Sequence, residues 1–152
     1  MRPTTVMLKD YPDHHDAELV IKLYELRREP TMRASRAAIA KSFWPKTLDE
    51  LMAVTKTEHE LNAAFRQTGS YWEMAYGMAK HGIIHADFML ESNGEGLLLL
   101  ARVEPFLEEY RAAANSPRAF RNAEWIAANS ELGQELMLRF RARVEKMVGP
   151  RK

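Results

Sequence analysis

The sequence predicts an all-α fold: a single domain, 1–152, built as a bundle of about five to seven helices around a central helix at residues 58–80. Three observations carry this reading. Gly and Pro number seven each in 152 residues, while Ala, Leu, Met, Glu, Lys and Arg dominate, and those side chains lose little freedom in a helix. Apolar residues recur at spacings of three and four, and no stretch alternates apolar with polar side chains as a half-buried strand does. Capping signals recur along the chain and divide it into helix-sized pieces.

The elements follow in order. Residues 1–12 read as a short flexible N-terminus. Asp13 is suited to cap a first helix, in which Leu19, Val20, Leu23, Tyr24, Leu26 and Arg27 recur at helical spacing, and Pro30 ends it. "TMRASRAAIAKSFW" continues as a second helix up to Trp44, where Pro45 disfavours helical geometry in the residue before it. "TLDE" and "TEHE" both fit the capping box, Thr47 with Glu50 and Thr57 with Glu60, so a helix is expected to start at each. The second of these is the central helix, 58–80, stopped at "HG" by Gly82 in the left-handed position after a helix. "ADFMLES" reads as a short helix. Ser92 and Glu95 form another capping box ahead of "GLLLLARVEPFLEEYRAAA", which Pro105 is expected to kink or split. Pro117 is placed for the first turn of the next helix, and the last runs from Glu131 to Val148 with Leu132, Leu136, Phe140, Val144 and Met147 on one face. A basic tail, 149–152, follows.

Composition excludes several classes of function. Hydrophobic residues make up 46% and charged residues 28% with a net charge of +1, which excludes a disordered chain and a globally basic nucleic-acid binder. The chain has no cysteine, so disulfide frameworks, thiol catalysis and iron–sulfur clusters are excluded, and the cytoplasm is the expected compartment. The N-terminus lacks a signal-peptide core, and the strongest apolar run, Leu97 to Ala101, is far too short to span a bilayer.

The densest stretch is "SYWEMAYGMAKHGIIHADFML", residues 70–90. On a helix, Leu61, Ala64, Phe65, Tyr71, Trp72, Met74, Ala75, Tyr76, Met78 and Ala79 cover more than half of the circumference, which makes this helix central. The remaining stripe holds Arg66, Gly69, Ser70, Glu73, Gly77 and Lys80: small residues around one carboxylate, with a base at either end. Small residues admit another backbone, so the stripe is either a tight helix crossing or a slot for a ligand. The crossing is the favoured reading, with Glu73 buried and paired to a base from another helix, Arg111 or Arg33 first.

No catalytic or cofactor-binding residue is assigned. "GEG" at 94–96 lacks the spacing of a phosphate loop or a dinucleotide fingerprint, and no "GxSxG" elbow occurs. His81 and His85, with Asp87 near by, have the four-residue separation of a helical metal site, but Gly82 breaks the helix between them. His14, His15 and His59 also fall at expected helix ends, where His needs no ligand role. No metal site is assigned. Basic residues gather in "RREPTMRASR" and after residue 138, where Arg139, Arg141, Arg143, Lys146, Arg151 and Lys152 face only Glu145, a local charge of +5. Solvated helix faces near a C-terminus account for them more simply than a nucleic-acid or anionic-lipid patch.

"LVIKLYELRREPTMRASRAAI", "FWP", "NAAFRQTGSYWEMAYGMAKHGII", "GEGLLLLARVEPFLEEYR" and "FRNAEWIA" together resemble a bacterial family of small helical proteins known only as a domain of unknown function. The resemblance covers most of residues 19–128 and implies a helical fold with no known activity, substrate or cofactor. Some members of that family begin with a membrane-spanning segment, from which this chain departs by starting directly at the soluble part.

The function expected is that of a non-enzymatic interaction or scaffold protein that self-associates as a homodimer. Ile21 lies off the apolar face of its helix and "LLLL" at 97–100 is apolar all round, so both need cover. Binding of nucleic acid or an anionic surface through the basic C-terminal helix is the alternative, and a metal-dependent helical-bundle enzyme the third. The broken His81–His85 spacing leads to a first prediction: elemental analysis of the purified protein finds no stoichiometric zinc or iron, and added zinc leaves its thermal midpoint unchanged.

Overall fold

In the computed structural model, which describes residues 9–150, Asp13 caps the first helix as expected: its carboxylate accepts from the amides of His15 and Asp16. Nine α-helices and one 3-10 turn follow, with no strand among the described residues. They are α1 (His14–Arg28), α2 (Pro30–Ser42), α3 (Leu48–Val54), α4 (Asn62–Lys80), α5 (Ala86–Ser92), α6 (Glu95–Val103), the 3-10 turn (Glu104–Phe106), α7 (Leu107–Ala113), α8 (Arg121–Asn129) and α9 (Glu131–Val148). The all-α bundle is the predicted class. Its helices outnumber the expected five to seven because α3, α5 and α7 are pieces of seven residues each. Residues 1–8 of the expected flexible N-terminus, and Arg151 and Lys152 of the basic tail, lie outside the described residues.

Most punctuation acts where the sequence puts it. Pro30 opens α2 directly after α1, and Glu29 between them serves both helices, its carboxylate accepting from the amide of Met32 at 2.9 Å. Thr47 caps α3 by accepting from the amide of Glu50, while the Glu50 carboxylate reaches the amide of Lys46 instead of closing the box on Thr47. Gly82 takes φ 74°, and the amide of Ile83 reaches back to the carbonyl of Met78, the pattern that ends a helix on a left-handed residue. Pro105 splits its helix through the 3-10 turn.

Three starts differ. Thr57 begins no helix: residues 55–61 run through successive tight turns, and α4 starts at Asn62, whose carboxamide donates to the carbonyl of Val54 at 2.9 Å. The central helix is therefore 62–80, not 58–80. Ser92 ends α5 rather than capping α6, and Glu95 is drawn to Arg36 by two bonds of 2.8 Å. Pro117 lies in a turn, and α8 starts four residues later behind Phe120, which adopts a left-handed φ of 62°. In α9, Leu136 and Val144 are buried as expected, but Met147 is 57% exposed, because the stripe that meets the core continues at four-residue spacing through Val148.

Helix α4 is central. It packs chiefly against α2 on one side and α8 on the other, with α5 and α6 also in contact, and contributes Phe65, Tyr71, Trp72, Ala75, Tyr76 and Ala79 to the core. Trp72 stacks on Tyr76 with ring centres 5.6 Å apart. Helix α6 is buried on every side from Gly96 to Val103, covered by α9, α8 and α4, so the chain itself covers the "LLLL" segment. Two polar knots fix the register. The Tyr76 hydroxyl donates to the carbonyl of Asn93 at 2.8 Å while the buried Arg27 donates to the Asn93 side-chain oxygen and to the carbonyl of Ser92. Asp16, fully buried, is bonded by Lys9 and accepts from the amide of His85 at 2.8 Å, tying α1 to the start of α5.

A Cβ built on Gly96 would stand 2.6 Å from both the Trp72 ring and the Tyr76 hydroxyl, whereas one on Gly69 meets nothing within 4 Å. Overpacking costs about 1–3 kcal/mol, and Gly in a helix interior costs about 0.5–1 kcal/mol relative to Ala. Gly96→Ala is accordingly expected to lower the thermal midpoint by several degrees and Gly69→Ala to raise it slightly, as differential scanning calorimetry would read.

Candidate functional site

The stripe on α4 has two halves with different fates. Over its C-terminal half lies α8, so close that a Cβ on Gly77 would stand 2.8 Å from the Asn122 side-chain nitrogen. Here Glu73, half-buried, accepts from the backbone amides of Asn122 at 3.0 Å and Ala123 at 2.9 Å, while the Asn122 carboxamide donates to the Glu73 carbonyl at 3.0 Å. Those amides belong to the first turn of α8. A Ser, Thr, Asp or Asn at the N-cap normally bonds the second or third amide of a helix. The residue in that place is Phe120, which makes no side-chain cap bond, and Glu73 supplies the missing oxygen from another helix.

This corrects the expected partner. Glu73 is bonded to two amides and not to Arg111 or Arg33: Arg111 donates to the carbonyl of Ala119 at 2.9 and 2.7 Å and to Glu124 at 2.7 Å, and Arg33 is exposed on α2. The positive end of the α8 dipole takes the place of a cation. Burial raises the Glu73 pKa above its ordinary 4.5, opposed first by the two amide bonds and then by the charges of Lys80 and Arg111.

The N-terminal half of the stripe is open. Arg66 and Ser70, both exposed, stand with Phe65, Gly69, Tyr110 and Phe120 around a groove of about 180 Å³. Arg66 is steadied by Asn62 at 2.9 Å. The volume falls below the ~300–1,000 Å³ of pockets that hold drug-sized ligands. Lys80 lies two turns beyond Glu73, away from the groove. The structure thus brings Arg66, Ser70 and Glu73 together around the groove and leaves Lys80 outside it, though its charge still acts on the Glu73 carboxyl.

The histidines take helix-end roles. His85 caps α5, its Nδ1 accepting from the amide of Phe88 at 3.0 Å, and His59 Nδ1 accepts from the amide of Leu61 at 3.0 Å. His81 is exposed beside the Gly82 turn, and Asp87 accepts from the Ser130 hydroxyl. Among the described residues, the group of three potential metal ligands whose donor atoms lie within 4.8 Å of one another is His14, His15 and Glu18, exposed at the start of α1. In the basic segment, Arg141 is held by Glu104 through bonds of 2.9 and 2.6 Å, while Arg139, Arg143 and Lys146 are exposed at spacings that share one face of α9.

Three buried charges escaped the sequence reading: Asp16, Arg27 and Arg102. A signal existed for Arg102. It is the lone base in "GLLLLARV", a run so apolar that its helix has no outward face for a charge.

These features define an all-α bundle whose central helix reaches across to complete a neighbouring helix, and no helix among its described residues is long and apolar enough to cross a membrane. The chain belongs to the family described as "Domain of unknown function (DUF4760)", which it matches over residues 12–130. No curated protein and no solved structure matches it.

The cap leads to a prediction. Glu73→Ala leaves two partly buried amides of α8 without their acceptor, at about 1–3 kcal/mol, and is expected to lower the thermal midpoint while Glu73→Gln, keeping one acceptor oxygen, loses less. Because the folded carboxyl titrates above 4.5, folding favours its protonated form. The advantage of Glu over Gln is therefore fully present below the unfolded pKa and narrows as pH rises through the folded one, a slope that paired melts from pH 4 upward would show.

Proposed function

We propose that this chain is a non-enzymatic cytoplasmic interaction protein that pairs with a second copy of itself through the outer face of α1. The observation that carries the reading is Ile21 at 59% and Tyr24 at 51% exposure, adjacent at helical spacing on a helix whose other face holds Leu23 and Arg27 in the core. Exposed Glu18 and Arg28 flank the pair on either side.

That arrangement suits an antiparallel helix pair about a two-fold axis. With the axis between Ile21 and Tyr24, Ile21 of one copy meets Tyr24 of the other, and Glu18 falls within one residue of Arg28 across the pair, twice over. The apolar contact supplies the affinity and the charges set the direction, since a parallel pair brings like charges together. The Arg28 guanidinium already lies over the Tyr24 ring and donates to its hydroxyl at 2.9 Å, which holds both side chains in place before association.

Light scattering coupled to size-exclusion chromatography tests this. At tens of micromolar protein the mass is expected near twice 17.5 kDa, and Ile21→Lys is expected to return it to 17.5 kDa with the helical content unchanged. A wild-type mass of 17.5 kDa, or a dimer indifferent to Ile21→Lys, overturns the proposal.

A further inference from the structure

A second cavity, open to solvent on one side, lies away from the stripe between α2, α4, α6 and α9 and holds about 320 Å³. That is at the low end of the ~300–1,000 Å³ typical of small-molecule sites. Two kinds of side chain line it. Trp44, Trp72 and Phe140 supply aromatic walls, and Arg36, Arg102 and Arg143 bring three guanidinium groups to one carboxylate, Glu95. Arg36 already holds Glu95 through two bonds of 2.8 Å.

Arg102 is the built part of this arrangement. It is 4% exposed, donates to the carbonyls of Ile39 at 3.0 Å and Phe43 at 3.3 Å, and lies 4.0 Å over the Trp44 ring. Two carbonyls and a ring face fix the plane of the guanidinium against the cavity. Burial lowers its pKa to about 10; the Glu95 charge works against that and the Arg143 charge adds to it. Arg143, exposed on α9, stands at the rim. Guanidinium groups match carboxylate and phosphate oxygens with paired donors, and an aromatic wall gains most from an apolar body.

We infer that this cavity binds a small amphipathic organic anion, a carboxylate or phosphate monoester, with its charged end at Arg102 and Arg143 and its apolar body among Trp44, Trp72 and Phe140. A bare inorganic ion leaves the aromatic walls unfilled, and a neutral aromatic molecule makes no use of the positive charge by which the three arginines of the lining exceed Glu95. The site needs both properties in one ligand.

Calorimetric titration with benzoate and with phenyl phosphate tests the inference and tells carboxylate from phosphate. At least one is expected to bind once per chain with a Kd of about 1 mM or tighter and to change tryptophan fluorescence saturably. Inorganic phosphate and benzyl alcohol are expected to bind at least about tenfold more weakly. Arg143→Ala, at an exposed position that leaves the fold intact, is expected to weaken binding about tenfold as a charge-assisted bond is lost, and Lys146→Ala, one helical turn away and outside the cavity, to leave it unchanged. Arg102→Met is expected to abolish binding, and if that variant does not fold, Arg143→Ala decides. The inference is overturned if neither anion binds at about 10 mM, if Arg143→Ala binds like wild type, or if inorganic phosphate or benzyl alcohol binds as tightly as its amphipathic counterpart.

Discussion

The bond from Glu73 to the first turn of α8 is the constraint on which the second half of the chain depends. An uncapped helix start inside a protein leaves amides that must find an acceptor. The residue before α8 cannot supply one, because the Phe120 side chain has no polar atom; it takes a left-handed backbone, and its ring lies in the core beside Phe65 and Tyr110. A non-glycine residue held there costs about 1–3 kcal/mol and persists only where its surroundings enforce it. Glu73 on one side, and Arg111 gripping the carbonyl of Ala119 on the other, are those surroundings. At that crossing a Cβ on Gly77 would press on the Asn122 carboxamide, the group that donates to the Glu73 carbonyl.

From that crossing the packing of α6 follows. With α4 and α8 set, α6 lies against both and presents Leu97, Leu98, Leu99 and Leu100 to different neighbours, all of them buried. A helix apolar on every side has no face to fix its rotation by exposure alone. Polar groups at its entrance do so instead: the knot of Tyr76, Asn93 and Arg27 precedes its first turn, and the Arg36–Glu95 pair anchors that turn to α2. Satisfied polar networks of this kind specify one arrangement among several of similar apolar burial.

What the sequence shows and what it hides divide along a physical line. The cap at Asp13, the stop at Gly82, the split at Pro105 and the limits of α9 are legible because each depends on one residue and its own backbone. The boxes at Thr57 and Ser92 mislead for the complementary reason: a two-residue motif competes with longer-range partners, and Asn62 bonding to Val54, or Glu95 drawn to Arg36, outweighs it. Glu73 stands out in the sequence as a carboxylate among small residues, yet its partner does not, because a backbone amide has no letter of its own. A search for a cation consequently points to Arg111, which the structure employs close by, at Ala119.

The family match and the packing together separate two parts of the molecule. The segment 12–130 contains the whole of the α4–α8 clamp and ends at Ser130, the residue that caps α9 by accepting from the amide of Gly133 at 2.9 Å. Helix α9 itself lies beyond the matched segment, although Leu136, Met137 and Val144 are buried against the core. The two facts are compatible only because α6 is apolar all round: its outer face must be covered, but any amphipathic helix entering from Ser130 with apolar residues at suitable spacing can cover it. Cover therefore constrains the buried side of α9 and leaves its rim free to vary. Phe140 and Arg143, which complete the wall of the arginine-lined cavity, lie at that rim, so the clamp, Arg102 and the two tryptophans belong to the matched segment, while one wall of the cavity comes from a helix whose rim the fold does not dictate.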